Sequence, residues 1–160
     1  MFDIGDKIVY PMHGAGVIDA IEEKEILNEI RRYYILNVSC GDMKVMIPID
    51  SCEVIGVRSI VDEETLDGVV EVLKNDSTEM SNNWNRRNRD NMELLKTGDI
   101  NAVAEVVRNL MRIDGIKKLS TGEKKMLSTS IQILVSEMIL VKDIDEKTAE
   151  KKIKDAVLNN

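Results

Sequence analysis

The chain has 160 residues, 43% hydrophobic and 32% charged, which allows one compact domain or two small ones and is ordinary for a folded rather than a disordered protein. It carries 22 Lys+Arg against 29 Asp+Glu, a net charge of −7, with aromatics at only 3%. That balance excludes a protein that coats nucleic acid by bulk electrostatics, though not a local basic patch.

The first sixty residues read as short strands. Lys7–Tyr10 precedes Pro11 and a His13-Gly14-Ala15-Gly16 turn, and Val17–Ile21 follows. Tyr33–Val38 is rich in β-formers and stops at Cys40-Gly41-Asp42, a turn signal. Lys44–Ile47 ends at Pro48, and Glu53–Arg58 supplies a fifth run. Five short strands at this spacing predict a small, strongly bent antiparallel barrel, with glycines at its corners. Residues 22–30, acidic and less regular, read as a long hairpin tip.

After residue 60 the period becomes helical. Leu66, Val69, Val70 and Leu73 follow the spacing of an amphipathic helix. A second helix is expected from about Asn83 to Thr97 with Gly98 just past its end, and Asp99 can cap a third. Ser120-Thr121-Gly122-Glu123 is a capping box opening a fourth, with Leu127, Ile131, Leu134, Met138 and Val141 on one face. Asp145 can cap a fifth. The expected class is therefore α+β by segregation: a β module over 1–60, then an all-α bundle of about five helices over 61–160.

The residues offer little for catalysis, for metal or cofactor binding, or for membrane insertion. There is no GxxxxGK[ST], no GxGxxG opening a helix and no HExxH, so no enzyme and no cofactor are expected. His13 is the single histidine, and Cys40 and Cys52 form no CxxC, so a zinc site would lack ligands. Two free thiols and no basic-then-apolar leader fit a reducing cytoplasm. The most apolar run, 133–141, is interrupted by Glu137 and is far short of the ~20 residues a bilayer span needs.

The distinctive stretch is 81–91, SNNWNRRNRDN. It holds three arginines and no acid from 81 to 89, and the only tryptophan. On a helix, Trp84 falls in the first turn, away from the apolar end at Met92, Leu94 and Leu95. It is flanked by Asn and Arg, which hydrogen-bond phosphates and base edges. One reading packs Trp84 back on the bundle, with ion pairs such as Arg86–Asp90 in solvent. The other makes it an aromatic wedge beside arginines, suited to a distorted duplex. Three phosphate contacts alone bind weakly, so a DNA-touching helix would need a second contact to deliver it.

These residues resemble the CarD/CdnL-type bacterial transcription regulators nearly end to end. The resemblance is carried by Gly5–Gly14 (GDKIVYPMHG), Val45–Pro48, Asn83–Arg87 (NWNRR), Gly98–Arg108 and Leu119–Leu127 (LSTGEKKML). The opening motif is shared with the polymerase-interacting module of transcription-repair coupling factors, whereas both halves together are specific. The resemblance implies a Tudor-like barrel that binds the RNA polymerase β subunit, and a helical domain that meets promoter DNA at the upstream edge of the transcription bubble. It places Trp84 as the wedge, with Arg86, Arg87 and Arg89 as its basic neighbours, and Lys24, Ile26 and Met46 at the polymerase contact. Family members often carry arginine at the positions of Lys24 and Met46, so Met46 implies a more apolar contact. A monomer without membrane attachment is expected, localised to the nucleoid through polymerase. The alternative is a protein-only adaptor whose Trp84 patch docks on another protein. Residues 1–60 carry −4 (6 basic, 10 acidic) and 61–160 carry −3 (16 basic, 19 acidic), so neither half is expected to bind free DNA well.

Overall fold

A computed structural model describes residues 1–158; Asn159 and Asn160, the end of the expected helical domain, lie outside it. Five antiparallel strands come first: β1 (Lys7–Tyr10), β2 (Gly14–Ile26), β3 (Glu29–Val38), β4 (Met43–Pro48) and β5 (Arg58–Ser59), in the order β4-β3-β2-β1-β5. The core on the inner face is Ile8, Ile18, Tyr34, Leu36, Val38 and Ile47. Asp19 is an extra residue between the pairs Ile18–Leu36 and Ala20–Ile35, a bulge that bends β2 and strengthens its twist.

Two expectations for this module are corrected. The sheet does not close into a barrel. The expected fifth strand, Glu53–Arg58, is instead a helical turn, α1 (Cys52–Ile55), ended by Gly56 in the left-handed conformation (φ 91°). Only Arg58 and Ser59 remain to pair, with Val9 and Ile8, too short an edge to reach β4. Residues 22–30 form a long hairpin end, more regular than their sequence suggests. The β2–β3 ladder continues to Ile26–Glu29, and Leu27 and Asn28 alone make the turn, both at positive φ (51° and 66°). Solvent on both faces removed the apolar alternation that would have revealed this extension.

The helices are α2 (Glu63–Lys74), α3 (Trp84–Lys96), α4 (Ile100–Ile116), α5 (Thr121–Lys142) and α6 (Glu146–Leu158). Five follow residue 61; α1 is the additional one. Their starts are built from local chemistry. Asp62, Asn83, Asp99, Ser120 and Asp145 each accept a backbone N–H two or three residues on, satisfying a donor that the helix itself leaves orphaned. Gly98 follows α3 with φ 73°. Leu66, Val69 and Leu73 of α2 bury into a core shared with α4, α5 and α6. Burial of one such side chain contributes about 1.5–3 kcal/mol. Truncating one, as in Leu134→Ala, would cost about 2–5 kcal/mol, because the cavity left behind adds to the lost transfer energy.

Helix α5 is buried on more than one face. Ile133 to Met138 are all buried, where the sequence spacing predicts a single stripe. The bundle covers one side and the sheet the other. Two polar residues in this run meet the sheet. Ser136 Oγ accepts the Ala15 N–H (2.8 Å), and the Ser136 carbonyl accepts the Ser39 hydroxyl (2.6 Å). The Glu137 carboxylate, buried, takes Arg58 in a two-pronged ion pair (2.8 and 2.9 Å) and also accepts the Val61 N–H (2.9 Å). The glutamate that interrupts the apolar run is thus an anchor for β5.

Candidate functional site

The start of α3 is assembled from asparagine and serine. Asn83 Oδ1 accepts the Arg86 N–H (3.1 Å) and Ser81 Oγ accepts the Asn83 N–H (3.1 Å). Trp84 is therefore the first helical residue, and its side chain leaves the helix where no preceding turn can cover it. The residue stays 46% exposed. The indole Nε1 donates to Ser120 Oγ at 3.2 Å, and a Cβ built on Gly122 would lie 3.7 Å from the ring. The indole leans on the first turn of α5 rather than entering the core.

Arg87, one turn further, has a different fate from its neighbours. Its Nε and Nη2 donate to Glu123 Oε2 and Oε1 at 2.9 and 3.0 Å, and Nη1 donates to the Ser81 carbonyl at 3.4 Å. The Arg87 hydrogen bonds hold the Glu123 carboxyl below its usual range, against the opposing effect of burial. In a capping box the glutamate reaches back to the cap residue's N–H. Here Glu123 spends both oxygens on Arg87 and accepts the Ser120 hydroxyl as well (3.3 Å).

Arg86 and Arg89 are exposed, and among the described residues neither has an ion-pair partner; the Arg86–Asp90 pair that one of the two readings offered is not formed. The fold adds cations that the local reading of 81–91 missed. Lys117 and Lys118 precede Ser120, and Lys124 and Lys125 follow it; all four are exposed. The Trp84–Ser120 bond sets the indole against the start of α5, the segment these lysines flank in sequence. The only sequence signal was two Lys-Lys pairs bracketing a helix cap.

Lys24, Ile26 and Met46 share the outer face of the sheet. Cross-strand partners point to one face, and alternate residues along a strand do the same. Ala20, Ile35 and Met46 form one row, Glu22, Tyr33 and Pro48 the next, then Lys24 with Arg31 and Ile26 with Glu29. Ile26 is 51% and Met46 40% exposed. Lys24 Nζ lies 3.9 Å from Glu22, a solvent-screened pair of little energetic weight. Leu27 at the turn and Ile30 beside it are also exposed, extending an apolar tip that the sequence reading did not assign.

Among the described residues no cluster of three or more His, Cys, Asp or Glu could hold a metal ion, and no helix is long and apolar enough to cross a membrane. The arrangement is one of surfaces: a half-exposed aromatic among cations, and an apolar and charged sheet face.

Comparison with known proteins gives these surfaces a class. Residues 2–61 match the CarD-like/TRCF RID domain, a domain type associated with RNA polymerase interaction, and residues 68–154 match the CarD C-terminal domain. The chain belongs to the CarD-like family, which supports a transcription-related role. One relative is the "Putative transcription factor YdeB" of Bacillus subtilis (strain 168), 43% identical over 147 residues, which cover 92% of this chain and 96% of that protein.

Proposed function

We propose that this protein is a two-part transcription regulator in which residues 1–60 bind the β subunit of RNA polymerase and residues 61–160 contact promoter DNA at the upstream edge of the bubble. Lys24, Ile26 and Met46 make the polymerase contact, with Leu27 extending it. Trp84 is the wedge, and Arg86, Arg89 and the lysines around Ser120 supply phosphate contacts. Arg87 acts from behind, holding the start of α3 through Glu123. The observation that carries this reading is a half-exposed tryptophan amid unpaired cations on a protein of net charge −7.

The mechanism is thermodynamic. A protein that binds the open promoter complex better than the closed one shifts that equilibrium by its differential affinity. A wedge that fits only an unstacked step supplies the difference, since stacking is worth about 1–3 kcal/mol per base in single-stranded contacts. Tethering through polymerase raises the local concentration of a DNA site too weak to act alone. The protein acts as a monomer, in the cytoplasm where polymerase is, without a cofactor.

The test is open-complex kinetics with the cognate polymerase. Trp84→Ala should leave polymerase binding intact and shorten the open-complex lifetime about fivefold or more; Lys24→Glu should weaken polymerase binding itself. An unchanged lifetime with Trp84→Ala on several promoters sinks the wedge. Crosslinks from position 84 to protein and never to DNA would establish the protein-only adaptor instead.

A further inference from the structure

Helix α3 carries the wedge at one end, and its other end meets the sheet. Gly98, just past the Thr97 cap that ends α3, gives its carbonyl to Arg58 Nε at 3.0 Å. A Cβ on Gly98 would sit 2.9 Å from the Pro11 ring, so this end of α3 is pressed on the sheet module. The same Arg58 forks onto Glu137 of α5. One guanidinium therefore ties three elements together: β5, the end of α3, and α5.

The start of α3 is pinned in the same chemical manner, by the Arg87–Glu123 fork on α5. Glu123 and Glu137 are four turns apart on one helix, about 21 Å along its axis and within about 40° of each other around it. Both carboxylates are buried, at 4% and 2% exposure. Helix α5 thus carries a fork at the wedge end and another at the sheet end.

We infer that Arg58 and Glu137 are positioning residues that lock the sheet module to the helical module, so that the polymerase-facing sheet and Trp84 move as one rigid body. This rests on the reading above for its functional consequence, though not for its structural one. A flexible tether would spread Trp84 over a volume around the docked sheet. A rigid one spends the effective concentration at a single place. The pair touches neither the proposed DNA surface nor the Lys24–Ile26–Met46 face, so it acts only through geometry.

Removing one partner alone strands a buried charge. The test therefore uses the full-length double variant Arg58→Gln, Glu137→Gln, with Arg58→Lys as a second variant that keeps the charge but loses the fork. Residual dipolar couplings from the sheet and from α3–α6 should fit one alignment tensor in the native protein and two in the double variant, with Arg58→Lys shifted in the same direction. Polymerase affinity should stay within about twofold while the open-complex lifetime falls about fivefold or more, towards that of Trp84→Ala. Adding Trp84→Ala to the double variant should then change little further. Variants that fold, keep a single tensor and keep the native lifetime overturn the inference. Should Trp84→Ala itself leave the lifetime unchanged, the wedge reading fails and the tensors alone decide: two support the lock and one overturns it.

Discussion

Arg87 of α3 and Glu123 of α5, thirty-six residues apart, meet through two parallel hydrogen bonds of 2.9 and 3.0 Å with side chains only 14% and 6% exposed. An arginine in an asparagine-rich basic run is thereby committed to the protein's own interior. Deleting the guanidinium leaves a buried carboxylate unpaired, so Arg87→Ala should lower stability by about 3–5 kcal/mol. Urea denaturation followed by circular dichroism measures this. The neutral pair Arg87→Met, Glu123→Gln should recover most of the loss, and a single variant as stable as the native protein would contradict the geometry.

The same pair sets a pH dependence. Glu123 is held below its ordinary value of 4.5 chiefly by its hydrogen bonds to Arg87. A depressed carboxyl stabilises the fold fully above its unfolded value, and that contribution fades as pH falls through the folded one. The stability difference between native protein and Glu123→Gln should therefore be largest at neutral pH and shrink on acidification below about 4.5. Denaturant midpoints of both proteins across that range decide it; a difference that stays constant would contradict the assignment.

Two glycines should respond with opposite signs. A Cβ on Gly16 would overlap the Asn37 carbonyl across the β2–β3 pair, with the Asn37 carbonyl carbon at 2.8 Å. Gly16→Ala must push the strands apart and should cost about 1–3 kcal/mol. Gly68, exposed in the middle of α2, has nothing within 4 Å of a built Cβ. Gly68→Ala should stabilise by about 0.5–1 kcal/mol through helix propensity. Thermal unfolding of the two variants provides the comparison.

Cys40 is buried where the sheet meets the helices, with its Sγ 3.5 Å from Glu146 Oε1. Burial first, then the Glu146 hydrogen bond and charge, push its thiol up to about 11. Because the thiolate is the reactive form, Cys40 should alkylate far more slowly in the native protein than after unfolding. Glu146→Gln should speed it. Mass spectrometry of timed iodoacetamide labelling reads both rates, and native labelling as fast as in denaturant would refute the burial argument.

What the sequence disclosed follows the range of the forces involved. Helix starts were legible at Asn83, Asp99, Ser120 and Asp145 because capping is settled within three residues. Beyond Ile21 a hairpin tip was legible but its regular strand pairing was not, since Glu22, Glu23, Glu25 and Glu29 are poor strand formers and carry no burial pattern. At Cys52–Ile55 a local apolar run misled: Val54 is 91% exposed, and the turn winds to Gly56 rather than extending. In the candidate site, Trp84, Arg86 and Arg89 announced themselves by composition. Neither the retreat of Arg87 onto Glu123 nor the docking of Trp84 on Ser120 could be read, because both depend on a contact between α3 and α5 formed across more than thirty residues.

Ser120 Oγ has no spare capacity: it donates to Glu123 Oε1 and accepts from both the Glu123 N–H and the Trp84 indole. Only the last of these is expendable. When the indole turns away, a water can take the vacated lone pair, while the serine keeps capping α5 and Arg87 keeps its grip on Glu123. The exchange amounts to roughly one solvated hydrogen bond, about 0.5–1.5 kcal/mol at most. The ring is therefore a loosely moored tip on a firmly bolted mount, free to change its resting place without any helix having to unwind.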